Sequence, residues 1–206
     1  MNAREPVLRP VRLEALRPTQ ITVGFREVGQ KRRHWREQDE HASELYLGRH
    51  MAPTVLGPNG RHYLIDNHHL ARALHEEGVE KVLVTVVADL GALSKAAFWN
   101  FLDNKSWCHP YDAEGRRTGF DAIPKSIDKL KDDPFRSLAG DLRHAGGFAK
   151  DITPFSEFLW ADFLRRRIKA KAVAKDFPRA LRRALALARS KDADFLPGWC
   201  GPDPID

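Results

Sequence analysis

Ile65-Asp66-Asn67-His68-His69-Leu70-Ala71-Arg72-Ala73-Leu74 is the stretch on which the fold of this 206-residue chain turns. Upstream, Thr54-Val55-Leu56 and His62-Tyr63-Leu64-Ile65 flank Gly57-Pro58-Asn59-Gly60-Arg61. Asn-Gly supplies the positive-φ positions of a tight turn, so an antiparallel hairpin is expected there. Downstream, Leu70, Ala71, Ala73 and Leu74 recur at helical spacing. They predict a helix over 67–77, with Asp66 or Asn67 as N-cap and Gly78 at C′. Lys81 to Ala88 is Val-rich and reads as a buried strand. A strand that turns straight into a helix aims first-turn N–H groups and the positive end of the helix dipole at one spot, which favours an anion.

The side chains at that turn suit phosphate. His68 and His69 are donors, and Arg72, one turn in, adds a charge-assisted contact. Asp66 at the strand end is placed to orient a histidine, bind a magnesium ion or act as a base. The bland alternative is that Asp66 caps the helix and the histidines face solvent. A metal held by both histidines is disfavoured, because adjacent helical residues point about 100° apart.

Around this centre, Val7 to Leu16 alternates as a half-buried strand stopped by Pro18. Helices are expected over 24–38 and 42–50. Beyond Asp89 the chain reads as helical, over 93–104, 125–130, 134–145, 154–167 and 178–190, with a polar loop at 107–120. The expected organisation is an α+β core over 1–90 and an all-helical lobe over 91–206. Two further groups carry chemistry. Gly24-Phe25-Arg26-Glu27 offers Glu27 as base or metal ligand and Arg26 as phosphate contact, or Glu27 simply complements a helix dipole. Asp133 is either an acidic ligand or the N-cap of a helix with Pro134 at N1. Gly146-Gly147 with Lys150 either approaches a ligand or ends that helix. The Phe155, Phe158, Leu159 stripe reads as core, and Trp199 as a groove plug.

A net charge of +6 and a pI near 9.5 favour anionic partners. Arg165 to Lys191 contains eleven Lys or Arg and one acid, either a DNA-binding face or a solvated helix surface. Cys108 and Cys200 suggest neither a disulfide framework nor a zinc cage. The N-terminal residues lack a signal-peptide h-region, and no apolar run approaches a membrane span. A cytoplasmic protein is therefore expected. No Walker A, Rossmann glycine fingerprint or Ser-His-Asp signature occurs.

The order of a strand ending in Leu16-Arg17-Pro18, a helical stretch, a hairpin, the Asp66-Asn67-His68-His69 box and a Val-rich strand resembles the ParB/sulfiredoxin superfamily. The closest likeness is to its ParB-like nuclease branch, and the core resemblance covers residues 7–90. It extends through Phe98-Trp99, Asp132-Asp133-Pro134-Phe135-Arg136-Ser137-Leu138, Gly146 to Lys150 and Glu157 to Asp162. It implies a small mixed sheet with helices and a phosphate loop at Asp66–His69. ParB has a Gly-Glu-Arg-Arg box there that binds CTP phosphates, and the superfamily's free-serine kinases have an Asp-Gly-His-His-Arg-like box. Sulfiredoxin chemistry needs a cysteine in this region, and none precedes Cys108. The kinases' catalytic glutamate is replaced near Gln20, which cannot be a base, so Glu27 would have to substitute. The partition proteins' helix-turn-helix domain is not evident in 90–206. The expected catalytic residues are Asp66, Glu27 and His68. Asn67, His68, His69, Arg72, Thr54, Gly24, Arg26, Arg136 and Lys150 are the expected phosphate contacts. The expected function is a nucleotide-dependent phosphotransferase or nucleotide hydrolase using ATP, ADP or CTP with Mg2+. A metal-dependent nuclease or DNA-binding protein, and a nucleotide sensor without turnover, are the alternatives.

Overall fold

The computed structural model describes residues 8–202. In chain order its elements are β1 (Leu8–Arg12), β2 (Arg17–Pro18), β3 (Thr22–Val23), α1 (Phe25–Arg36), α2 (Glu40–Arg49), β4 (Ala52–Gly57), β5 (Arg61–Leu64), α3 (His68–Glu76), β6 (Lys81–Asp89), α4 (Lys95–Asn104), β7 (Lys131–Asp132), α5 (Pro134–His144), α6 (Ser156–Arg165), α7 (Ala170–Lys175) and α8 (Phe177–Ala188). They form two compact units. The first contains the described residues up to Thr22, with Val28–Asp112 and Arg116–Lys131. The second contains Val23–Glu27, Ala113–Gly115 and the residues from Asp132 on.

The first unit is α+β. Its five-stranded mixed sheet has the order β1-β6-β4-β5-β2. β1 is antiparallel to β6, β4 is parallel to β6, β5 is antiparallel to β4, and β2 is parallel to β5. The Asn59-Gly60 turn forms as expected, with φ of 63° and 66°. The expected first strand is cut short at Arg12: Leu13 donates to the Glu80 carbonyl at 2.9 Å, and a 3-10 turn over Leu13–Ala15 follows.

α3 ends where Gly78 was expected to end it. Gly78 has φ 75°. Its N–H reaches the His75 carbonyl, and the Val79 N–H reaches the Leu74 carbonyl. That pair of bonds is a Schellman cap. At the other end Asn67 is the N-cap residue, but its side chain does not cap. It adopts φ 63° and donates instead to the Met51 carbonyl at 3.2 Å.

Residues 91–112 and 116–131 belong to the same compact unit as the sheet. α4 buries Phe98, Trp99 and Leu102 with Val55, Ile21, Cys108 and Ile123, and Tyr63 packs against this cluster. Gly57 is needed beneath it, because a Cβ there would lie 2.5 Å from Tyr63 and 2.8 Å from Phe98. The helix expected over 125–130 is only a 3-10 turn at Ile127–Lys129. The carbonyls of Asp128 and Leu130 are taken by the Arg72 guanidinium rather than by helical N–H groups.

The second unit packs α5, α6, α7 and α8 around Leu138, Leu142, Phe148, Trp160, Phe163 and Leu164. Phe148 stacks on Trp160 at 4.4 Å. Asp133 caps α5 by accepting from the Phe135 N–H at 2.9 Å. Gly146, with φ 79°, ends that helix. Trp199 packs against this core, as its groove-plug reading requires. α7 was not expected from sequence, since Val173 is its single buried residue.

Candidate functional site

β5 carries the chain into the Asp66–His69 turn, and the structure shows what each side chain there holds. His68 is buried in α3's first turn. Its Nε2 accepts from the Thr19 N–H at 3.1 Å, and the ring donates to the Leu64 carbonyl. Burial pushes its pKa down to about 3, so it is a neutral imidazole at physiological pH. Both ring nitrogens are engaged inside the fold, tying the β2–β3 connection to α3. This placement does not present His68 as a proton-transfer group or a donor to phosphate.

Arg72 is likewise turned inward. Its Nη1 donates to the carbonyls of Asp128 at 2.9 Å and Leu130 at 3.0 Å, and its Nε pairs with Glu76 at 2.6 Å. His69 is buried. Thr54 is wholly buried in β4, near His62 Nδ1 and the Thr85 carbonyl. Asp66 is exposed, and its carboxylate accepts from the Asn67 N–H at 2.7 Å. Gln20, at the position of the kinases' glutamate, is buried and donates to the Thr22 carbonyl at 2.6 Å. Among the described residues, no group of three His, Cys, Asp or Glu side chains is placed to hold a metal ion.

The remaining expected contacts lie in the second unit. There the start of α1 docks on α5. The Phe25 N–H donates to Asp132 at 2.8 Å, and the Arg26 N–H donates to Ser137 Oγ at 3.2 Å. The Arg26 side chain pairs with Asp141 at 2.9 Å and covers the Phe177 ring at 4.0 Å. Arg136 is buried; its Nη2 pairs with Glu157, and Glu27 lies 3.6 Å from its Nη1. Lys150 is exposed after α5. The structure thus brings Gly24, Arg26, Glu27 and Arg136 together in a packed ion-pair network, with Glu27 facing a cation.

Gly24 is where this docking is tightest. A Cβ there would meet Ser137 Oγ at 2.5 Å, its N at 2.7 Å and its Cα at 2.9 Å. Backbone cannot swing away as a flexible side chain does. Gly24→Ala is expected to cost about 1–3 kcal/mol, read as a lower denaturation midpoint. An unchanged midpoint would show that the 24–27 segment shifts freely on α5.

The first unit also holds a cleft that sequence spacing did not reveal. It has a volume of about 290 Å³ and is lined by Arg17, Arg61, Lys95 and Lys125 on its polar side, with Tyr63, Trp99 and Phe120 as an aromatic wall. Tyr63 stands edge-on to Trp99 at 5.6 Å, and Trp99 stacks on Phe120 at 5.7 Å. Asp121 is the one carboxylate of the lining. Arg61, Lys95 and Lys125 are exposed. Arg17 bonds to the Lys125 carbonyl, which ties β2 to the 120–125 segment. Four cations against one acid in a concave site raise the local concentration of anions. These residues stand at positions 17, 61, 95 and 125, so no motif joins them. The nearest signal was Arg17-Pro18 beside the hairpin, whose parallel register sets Arg17 opposite Tyr63.

A mixed sheet of this order, with a β5–turn–α3 box and α4 packed beneath, is the ParB-like class of α+β fold. Residues 9–166 match the family described as Putative ParB-like nuclease, and the chain belongs to that family. It is similar in structure to protein Atu1540 from Agrobacterium tumefaciens, at 53% identity and a TM-score of 0.91 over 97% of this chain and 99% of that one. A more distant likeness is to the C-terminally truncated chromosome-partitioning protein ParB from Caulobacter crescentus, whose crystal structure is a complex with CTP-gamma-S. There the identity is 12% and the TM-score 0.34, over 91% of this chain and 94% of that chain. No curated protein matches the chain. No helix among the described residues is long and apolar enough to cross a membrane.

Proposed function

We propose that this ParB-like chain binds a nucleotide, and that the basic, aromatic cleft of the first unit is where it does so. The observation that carries the reading is the pairing of four cations with three aromatic rings in one concavity. A nucleotide needs both halves: a π-face for the base and charge-assisted donors for the phosphates. At about 290 Å³ the cleft stands at the small end of small-molecule sites, about 300–1,000 Å³, which suits a mononucleotide. Tyr63 and Phe120 are half-buried, so a base laid on them leaves water without disturbing the core.

Binding without turnover is the form of this reading that the side chains support best. Two of the three expected catalytic groups are engaged elsewhere: His68 is a buried neutral brace and Glu27 faces Arg136. Phosphotransfer or hydrolysis would fall to Asp121. A magnesium ion would then arrive on the phosphates, as it does where the protein supplies few carboxylates.

The test is a thermal-shift series with ATP, ADP and CTP, with and without magnesium. At a hundredfold excess over Kd, binding adds about 2.7 kcal/mol. For a chain of this size that is a rise of about 5–10 °C. Arg61→Glu with Lys125→Glu is expected to abolish the rise and leave the ligand-free melting temperature nearly unchanged, since both side chains are exposed. A full response in the double variant, or no response to any nucleotide in the native chain, overturns the reading. Release of labelled phosphate separates an enzyme from a binding module.

A further inference from the structure

The basic stretch acquires a shape in the second unit that composition does not give. α8 buries Ala180, Ala184 and Ala188, and Phe177, Leu181, Leu185 and Leu187 pack on the same core. Its other face carries Arg179, Arg182, Arg183 and Arg189, all exposed. On a helix these positions fall within one arc of about 120°, and the stripe is about 15 Å long. α7, just before it, adds the exposed Lys171 and Lys175. Among the described residues, no acid pairs with Lys171, Lys175, Arg179 or Arg182.

We propose that the α7–α8 face binds the sugar–phosphate backbone of duplex DNA. Arginine presents a planar fork that matches phosphate oxygens two at a time. The small exposed Ala172, Ala174 and Ala186 let the phosphates come close to the helices. Three other polyanions fit less well. Single strands are held by exposed aromatic rings, and the one aromatic residue between 165 and 191, Phe177, is half-buried against the core and covered by Arg26. Anionic membranes are held by amphipathic helices that insert an apolar face, whereas the apolar face of α8 is already packed. Duplex RNA has a deep, narrow major groove, while that of B-DNA, about 12 Å wide, admits a helix. The contact is made to phosphates, which carry no sequence information, and is expected to be sequence-independent.

The experiment is fluorescence anisotropy of a labelled 20-base-pair DNA duplex against the full chain at 50, 100 and 200 mM salt. The native chain is compared with Lys175→Gln/Arg179→Gln/Arg182→Gln. Three lost phosphate contacts should flatten the slope of log K against log salt by about 2.7 and weaken binding more than about tenfold at 50 mM. The variant should keep its melting temperature, because the three side chains are exposed. The cleft variant Arg61→Glu/Lys125→Glu should lose the nucleotide response yet keep the slope of the native chain, so the two proposals fail separately. Absence of duplex binding at 50 mM salt, an unchanged slope in the triple variant, or binding to duplex RNA, poly(dT) or phosphatidylserine vesicles as tight as to duplex DNA overturns the assignment.

Discussion

Acidifying the protein from pH 6.5 to pH 3 is expected to remove as much as about 5 kcal/mol of stability through His68 alone. The unfolded imidazole titrates near 6.5, whereas burial lowers the folded one to about 3. Between those values the unfolded chain binds more protons, so stability rises with pH in that window and is fully present above 6.5. Each pH unit is worth about 1.4 kcal/mol. Inside the fold a proton has nowhere useful to go, because Nε2 already accepts from Thr19 and the other nitrogen already donates to Leu64. His68→Leu removes the titration and orphans the Thr19 N–H and the Leu64 carbonyl. It should cost about 2–5 kcal/mol at pH 7 and lose less stability between pH 6.5 and 4 than the native chain does. Denaturant melts across that range decide it, and an identical pH dependence in the two proteins would show that His68 is not neutral in the fold.

Removing Arg165 should destabilise the second unit by a similar amount. Asp133 is 1% exposed and caps α5 while Arg165 Nη2 holds its other oxygen at 2.9 Å. Burial pushes the Asp133 carboxyl above its ordinary range, and Arg165 opposes the shift. The same guanidinium reaches Asp162 at 2.8 Å and the Ala113 carbonyl. Arg165→Met leaves a carboxylate in the core with its cation gone, which costs about 3–5 kcal/mol. The variant's Asp133 titrates higher still. Its deficit should be full at neutral pH and shrink on acidification, as that carboxyl takes a proton. Urea midpoints at pH 7.5 and 5 read this directly. A deficit that stays constant would mean the loss is packing rather than charge.

Local signals reported local structure well. Asn59-Gly60, Gly78 and Asp133-Pro134 each name a backbone need that few other residues meet, and each stands where it was expected. The same logic misplaced partners. Asp66-Asn67-His68-His69 with Arg72 has the composition of a phosphate loop, but composition does not say which way a side chain faces. His68 looks inward because the Thr19 segment, 49 residues earlier, supplies an N–H to it. Arg72 looks inward because the carbonyls near 127–130, more than 50 residues later, lie free of a helix. Gly24, Arg26 and Glu27 looked like ligands because Arg136 and Ser137 are over a hundred positions away.

By itself, then, the chain determined most of its longer helices and its α+β class, and the order of its motifs carried the family likeness. The elements follow from periodicity and turn chemistry, which act over a few residues. Only the tertiary structure decided which charges were spent and which were left. Burial commits a polar group to whatever partner the fold brings to it, at a cost of kilocalories if none comes. His68, Arg72, Glu27 and Arg136 were committed in that way. Arg61, Lys95 and Lys125, scattered in sequence and unremarked, were left at the mouth of a cleft.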